Sequence, residues 1–210
     1  ICNVAIVGHG SVGKTTFVDH VLHVAGIAKR AGDVDAGTSL SDYEEEEKER
    51  KFSISSSVFH FEAEGRVFNL IDTPGYLDFV GAAIGALPVV ETALIAISAR
   101  DGIQLNTRRM WAEAEKQNLA RILLITRLDA DNIDLDRLVA IAKAHKVKTV
   151  IDTTFATPVN MRSLDHGIDL VIHSVTKYLA GHNDLMAGVL IGSYDMITPL
   201  RQAQGLLGQV

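Results

Sequence analysis

Cysteine is nearly absent. Cys2 is the only one in 210 residues, which excludes an intramolecular disulfide and a cysteine-built zinc cage. Four prolines are too few for a collagen-like or proline-rich disordered chain. No apolar run reaches the roughly 18 residues that a membrane helix needs. The opening Ile1-Cys2-Asn3-Val4 lacks the basic flank of a signal peptide, and the missing initiator Met reads as a trimmed or excised segment. Basic charge is not in excess: 20 Lys+Arg face 26 Asp+Glu, a formal charge of −6. That balance argues against nucleic-acid binding through bulk electrostatics. The eight histidines are scattered, with no i, i+4 pair beside a carboxylate, so no histidine-built metal site is expected. The expectation is a cytoplasmic, soluble protein with no membrane partner and no direct nucleic-acid binding.

What remains is ordinary globular material, 47% apolar and 22% charged. Short apolar runs alternate with helical periodicity, which predicts an α/β fold of mostly parallel strands joined by crossover helices. Strands are predicted at Val4–Val7, Val58–Phe61, Val67–Ile71, Thr92–Ile97, Ile122–Thr126, Thr149–Ile151, Leu170–Ser174 and Gly188–Ile191. Helices are predicted at about Lys14–Ala25, Thr107–Gln117, Asp134–His145 and Thr198–Gly205. The charged run Asp42–Lys51 reads as a solvated helix face or a mobile loop.

One motif carries chemistry outright. Gly8-His9-Gly10-Ser11-Val12-Gly13-Lys14-Thr15-Thr16 follows the first strand and opens a helix, fitting G-x-x-x-x-G-K-[ST]. In such a loop the glycines let backbone N–H groups curl around phosphates. Lys14 reaches the β- and γ-phosphates, and the Thr15 hydroxyl binds Mg²⁺. Gly8, Gly10 and Gly13 also fit the dinucleotide fingerprint, with Asp33 about 20 residues on. That rival gives no reason for Lys14-Thr15, and Asp33 sits in a glycine-rich stretch rather than at a strand end. Asp72-Thr73-Pro74-Gly75 closes the Val67–Ile71 strand, where a P-loop protein places an Asp on the metal side and an N–H for the γ-phosphate. Thr126-Arg127-Leu128-Asp129 closes another strand. A carboxylate there can accept from guanine N1 and N2 together, a pair that adenine does not offer.

These residues resemble the GTP-binding domain of elongation factor G and its translational-GTPase relatives, from Val4 to about Asp131. The likeness includes Gly32-x-Val34-x-x-Gly37-Thr38, the acidic run ending in Glu49-Arg50, Asp72 through Val80, and Ser98-Ala99-x-x-Gly102-x-x-x-x-Thr107. It implies GTP or GDP as ligand, Mg²⁺ as cofactor, and switch regions near Thr38–Ser57 and Asp72–Ala86. Three positions depart from the family's pattern. Tyr76 stands where a water-orienting His is usual, Ser53 where a metal-binding Thr is usual, and Arg127 where a Lys is usual. Binding is expected from Gly8, Gly10, Ser11, Val12, Gly13, Lys14, Thr15, Thr16, Gly75, Thr126, Arg127 and Asp129. The metal falls to Thr15, Ser53 and Asp72, and catalysis to Lys14 with Tyr76. Hydrolysis is expected to be weak or absent. A ribosome is not expected as a partner of so short a segment.

Beyond about Asp131 a second likeness takes over. Val150-Ile151-Asp152-Thr153-Thr154-Phe155-Ala156-Thr157-Pro158 and Ser174-Val175-Thr176-Lys177-Tyr178-Leu179-Ala180-Gly181-His182 resemble the cystathionine synthase/lyase family of pyridoxal-phosphate (PLP) enzymes. The resemblance covers about Asn132–Val210. It implies a Schiff-base Lys177, Asp152 on the pyridinium nitrogen, and Ser174 with Thr176 on the cofactor phosphate. Half of that site is missing, since an upstream phosphate-binding segment and a ring-stacking Tyr have no counterpart. The whole then reads as a chimera, engineered or recombined: a P-loop GTPase segment (1–131) joined to a PLP-transferase-like segment (132–210). The expected fold is a single three-layer, doubly wound, mostly parallel sheet. Its strand order would be 2-3-1-4-5, extended by the last three strands, of which the final one runs antiparallel. The alternatives to nucleotide binding are a PLP-binding fragment working through Lys177 and a folded chain with no retained activity.

Overall fold

The computed structural model describes residues 1–63, 65–182, 184–185 and 187–207, which divide into two compact units, Ile1–Ile133 and Asp134–Val210. In the first unit, β1 (Cys2–Gly8), β2 (Ser57–Ala63), β3 (Arg66–Asp72), β4 (Thr92–Ser98) and β5 (Ala120–Thr126) form one sheet ordered β2-β3-β1-β4-β5. All its pairs are parallel except β2 with β3, which run antiparallel. Side chains alternate along β1 and so build two cores. Ala5 and Val7 pack with Ile95 and with Met110 and Ala114 of α4 (Leu105–Lys116), together with Ala83 and Ala86 of α3 (Val80–Ala86). Ile6 faces the other way, onto Val18 and Leu22 of α1 (Lys14–Val24). Helices on both faces make three layers, and the parallel strands send their C-terminal loops to one edge, where α/β sheets bind ligands.

The acidic run is mostly the solvated helix face expected, with Glu44–Glu46 and Glu49–Lys51 exposed. It forms α2 (Glu45–Arg50), and Glu47 within it is fully buried.

The second unit holds β6 (Val150–Asp152), β7 (Leu170–Ser174) and β8 (Gly188–Gly192) in the order β6-β7-β8. β6 is parallel to β7 and β8 antiparallel to it, the direction expected from the short connection. Its helices are α5 (Leu135–Ala144), α6 (Thr157–Asn160) and α7 (Tyr194–Leu207). Val139 of α5 closes a small core with Ile151, Ile168 and Val171. Among the described residues the strands therefore form two sheets rather than the single continuous one expected: β5 pairs with β4, and β6, three residues long, pairs with β7. Among the described residues, no helix is long and apolar enough to cross a membrane.

Candidate nucleotide site

The loop between β1 and α1 is shaped by glycine where backbone must come close. Gly8 has φ 146°, and a Cβ there would lie 2.6 Å from the carbonyl oxygen of Ala96. Gly13 has φ 86° and immediately precedes α1. Lys14 therefore starts that helix, buried, with its ammonium donating to the carbonyl of His9 at 2.8 Å. Gly75 presses against the same loop: a Cβ on it would strike the Lys14 ammonium and come within 2.6 Å of the Gly10 nitrogen. Thr73 fixes this approach by donating to the carbonyl of Ile6 at 2.6 Å.

Beside the lysine lies a chain of hydroxyls and carboxylates. Ser53 donates to Asp42 at 2.6 Å, and the hydroxyls of Thr15 and Ser53 are 3.0 Å apart. Ser41 donates to Asp72 at 2.6 Å. Asp19, Asp42 and Asp72 are all buried, and each keeps one carboxylate oxygen without a partner. Burial pushes the Asp42 carboxyl up to about 6; its neighbours Asp72, Glu47 and Asp19 add to this, against the Ser53 hydrogen bond. Burial likewise raises Asp72, opposed by its bond from Ser41 and by the Lys14 charge. The Lys14 ammonium is held down to about 8 by burial, against the pull of Asp72 and Asp42. Buried charges left this poorly paired are typical of ligand sites.

These residues fit a magnesium ion. Two neighbouring ligands of an octahedron with bonds of about 2.1 Å stand about 3.0 Å apart, which is the Thr15–Ser53 separation. The open carboxylate oxygens of Asp42 and Asp72 suit the waters that Mg²⁺ keeps. A cavity of about 180 Å³ joins Gly10, Ser11, Gly13, Lys14, Thr15, Thr16, Asp42, Ser53, Gly75, Tyr76 and Arg127.

On the base side, Thr126 donates to the carbonyl of Val12 and Arg127 to that of Ser11, both at 2.7 Å. The guanidinium also lies 3.7 Å from Asp101. Asp129 is exposed and does not line the cavity. Tyr76 places its hydroxyl 3.1 Å from that of Ser11.

Sequence reasoning missed four residues that shape this site. Asp42 lines the cavity and Ser41 holds Asp72. Asp19 accepts from the amide of Leu40. Glu47 accepts from the amides of Ile54 and Ser55 at 2.8 and 3.0 Å, and from that of Glu44 at 3.0 Å. Only the last had a signal: a Glu three residues into a helix is the reaching residue of a capping box.

The expected PLP residues are brought together only in part. Asp152 accepts at one carboxylate oxygen, Oδ1, from the amide and hydroxyl of Thr154, at 2.9 and 2.6 Å, and the same hydroxyl accepts from the amide of Ser174. The Thr176 hydroxyl is tied to the backbone of Ala187. Lys177 is exposed, in a hollow that also includes Phe155, Thr176, Tyr178 and Gly181 but not Asp152 or Ser174. The hollow at Lys177 thus lacks the Asp152 and Ser174 partners that the PLP reading expected there.

The Elongation factor Tu GTP binding domain family matches residues 1–190. Elongation factor G 2 of Borreliella burgdorferi is 31% identical over 174 residues, 82% of this chain and 26% of that protein. Tetracycline resistance protein TetS of Listeria monocytogenes is 35% identical over 135 residues, 64% of this chain and 21% of that protein. A crystal structure from Thermus thermophilus superposes with a TM-score of 0.65 at 36% identity, covering 72% of this chain and 23% of that one. The chain thus spans about a quarter or less of these relatives. The match extends well past Asp131, where the likeness was expected to stop, and nothing in the comparisons supports a PLP-enzyme segment or a chimeric join. With a P-loop on β1 and an Asp at the end of β3, and matched over most of its length, the chain belongs to the Elongation factor Tu GTP binding domain family.

Proposed function

We propose that residues 1–131 bind GDP and GTP with Mg²⁺ at the Gly8–Thr16 loop and turn GTP over slowly. The observation that carries this reading is Lys14, a buried ammonium whose one acceptor is a backbone carbonyl. A polyphosphate gives it the anionic partner that it lacks. Bound Mg²⁺ would supply charge neutralisation at the phosphate oxygens. Thr15, Ser53 and Asp72 hold it, with Asp42 beside them. Thr126 and Arg127 brace the base loop against the phosphate loop, and Asp129 selects guanine by accepting two hydrogen bonds.

Slow turnover follows from Tyr76. A phenol hydroxyl is a poor acceptor for an attacking water compared with an imidazole nitrogen. Its hydroxyl is already engaged with Ser11. Phosphoryl transfer depends on positioning and electrostatics, so a misplaced water lowers rate more than affinity. Titration with fluorescent GDP and GTP in Mg²⁺, with ATP as competitor, tests the binding. Guanine nucleotides should bind and ATP should compete poorly. Equal competition would remove Asp129 from its role, and no binding would end the reading. Tyr76→His should raise single-turnover hydrolysis at least tenfold; rapid multiple turnover by the unaltered chain would refute the slow-GTPase part.

A further inference from the structure

Tyr76, though partly exposed, is held by contacts from three segments: the β1–α1 loop, Phe52 and α4. Its ring lies over Gly10, where a Cβ would stand 3.0 Å from two ring carbons. Gly10 does not have a positive φ, so its backbone would accept a side chain. What the position excludes is bulk beneath the tyrosine. The ring of Phe52, next to Ser53, packs on Tyr76 with centroids 4.6 Å apart. The hydroxyl reaches Ser11 at 3.1 Å. From below, the buried Asn106 of α4 donates to the carbonyl of Gly75 at 2.6 Å, fixing the Gly75–Tyr76 peptide. The other amide atom of Asn106, Oδ1, is buried without a partner. A half-satisfied buried amide is a net burden on stability, so its retention suits a positioning duty better than a packing one.

The strap lies across one end of the phosphate cradle. Lys14 reaches the β- and γ-phosphates, Gly75 touches Lys14, and Tyr76 follows Gly75 over Gly10 and Ser11. Gly75 and Tyr76 line the cavity together with Gly10, Ser11 and Lys14. A third phosphate needs room at the covered end; a diphosphate does not.

Building on the nucleotide-binding reading above, we propose that the Tyr76–Ser11 hydrogen bond, positioned by Asn106 through the Gly75–Tyr76 peptide, is a latch that makes this site prefer a nucleoside diphosphate over a triphosphate. The latch opens before the third phosphate seats, so breaking it raises triphosphate affinity relative to diphosphate affinity.

The test measures affinities for fluorescent GDP and for a non-hydrolysable fluorescent GTP analogue in the full chain with Mg²⁺. Tyr76→Phe keeps the ring and removes the bond; Ser11→Ala removes it from the other side. Each should raise the triphosphate-to-diphosphate affinity ratio three- to tenfold, the range for one neutral hydrogen bond. The double variant should give no more than either alone, because both delete one interaction. Asn106→Ala should move the ratio the same way with GDP affinity within twofold, a selectivity change that a purely structural residue would not produce. An unchanged ratio with GDP still bound overturns the latch and leaves the binding reading standing. A ratio that falls shows the phenol helping the third phosphate and also overturns it. Absence of binding to either nucleotide overturns both.

Discussion

The two units treat buried charge in opposite ways. In the first, Asp19, Asp42 and Asp72 are buried with an open oxygen each, and burial drives Asp42 up to about 6. In the second, the unpartnered buried side-chain atoms among the described residues belong to Ser163 and His173, with no carboxylate. Its notable acid, Asp169, is held down to about 2 by the Lys148 ammonium and by hydrogen bonds from Thr149. Such stress is tolerable where a core is large. The first unit buries apolar clusters on both faces of its sheet, and the second encloses one small cluster of Val139, Ile151, Ile168 and Val171. Stability is given up where a ligand can restore it.

The sharpest way to break this contrast is Lys14→Ala. Nucleotide with Mg²⁺ should protect amides of β1, β3 and α1 from exchange and leave β6 and β7 unaffected, because only the first unit gains a partner for its buried charges. Removing the lysine deletes charge-assisted phosphate contacts of roughly 1.5–3 kcal/mol, so GDP should bind about 10- to 100-fold more weakly and the protection should vanish. Ionisation adds a pH signature. Lys14 must be protonated to hold phosphate, so affinity should fall as pH rises above about 8, its free-state value. Asp42 must be ionised beside the metal, so Mg²⁺-dependent affinity should fall as pH drops below about 6. A flat profile from pH 5 to 9 would mean that neither group meets the ligand.

How much of this was legible in the residues follows from the range of each signal. Local patterns spoke clearly: an apolar strand ending in a glycine-rich turn and Lys14-Thr15, and an Asp at the end of β3; the order β2-β3-β1-β4-β5 came with the family resemblance. The antiparallel β8 followed from a connection too short to cross over. Residues acting across the fold gave no pattern. Asn106 and Gly75 are 31 positions apart, as are Ser41 and Asp72, and nothing in either neighbourhood announces the other. Composition misled at Glu47: in a run of four glutamates every side chain looks solvated, yet helical spacing turns one inward. Family likeness misled in the second unit, where the residue types of a PLP site are present but the hollow at Lys177 does not include Asp152 or Ser174. Motif chemistry needs convergence as well as identity.

Glu47 offers a smaller test of the same contrast, since it is the buried carboxylate of the first unit that is well paired. Glu47→Ala leaves the part-buried amides of Glu44, Ile54 and Ser55 without their acceptor, at about 2–3 kcal/mol for the three together. Urea unfolding followed through Trp111, the one tryptophan of the chain, should show that loss. Mg²⁺ affinity should fall as well, because Ser53 precedes Ile54. Glu47→Gln keeps an acceptor and should lose about 1 kcal/mol. If Glu47→Ala were as stable as the parent, the pairing seen at Glu47 would carry no weight.

The smallest effect is expected at Asp169, where the sign of the pH dependence separates the units. Its carboxylate accepts from Lys148 at 2.8 Å and from the amide and hydroxyl of Thr149 at 3.0 and 2.9 Å, joining the start of β6 to the start of β7. Because its folded value of about 2 lies below the ordinary 3.8, the folded state binds the proton less readily. The stabilisation is therefore complete above pH 4 and fades as pH falls toward 2. Asp42 behaves in reverse: its folded value of about 6 exceeds 3.8, so its burden is full above pH 6 and lifts as pH falls toward 4. Much of Asp169's partnership faces water, so Asp169→Asn should lower amide protection across β6 and β7 by only about 0.5–1 kcal/mol at pH 6. Compared with the parent at the same pH, that difference should disappear near pH 2. Over pH 6 to 4 the first unit, free of nucleotide, should grow more resistant to urea by the Trp111 signal. A first unit that weakened steadily over that interval would show that its buried carboxylates are better satisfied than their open oxygens indicate.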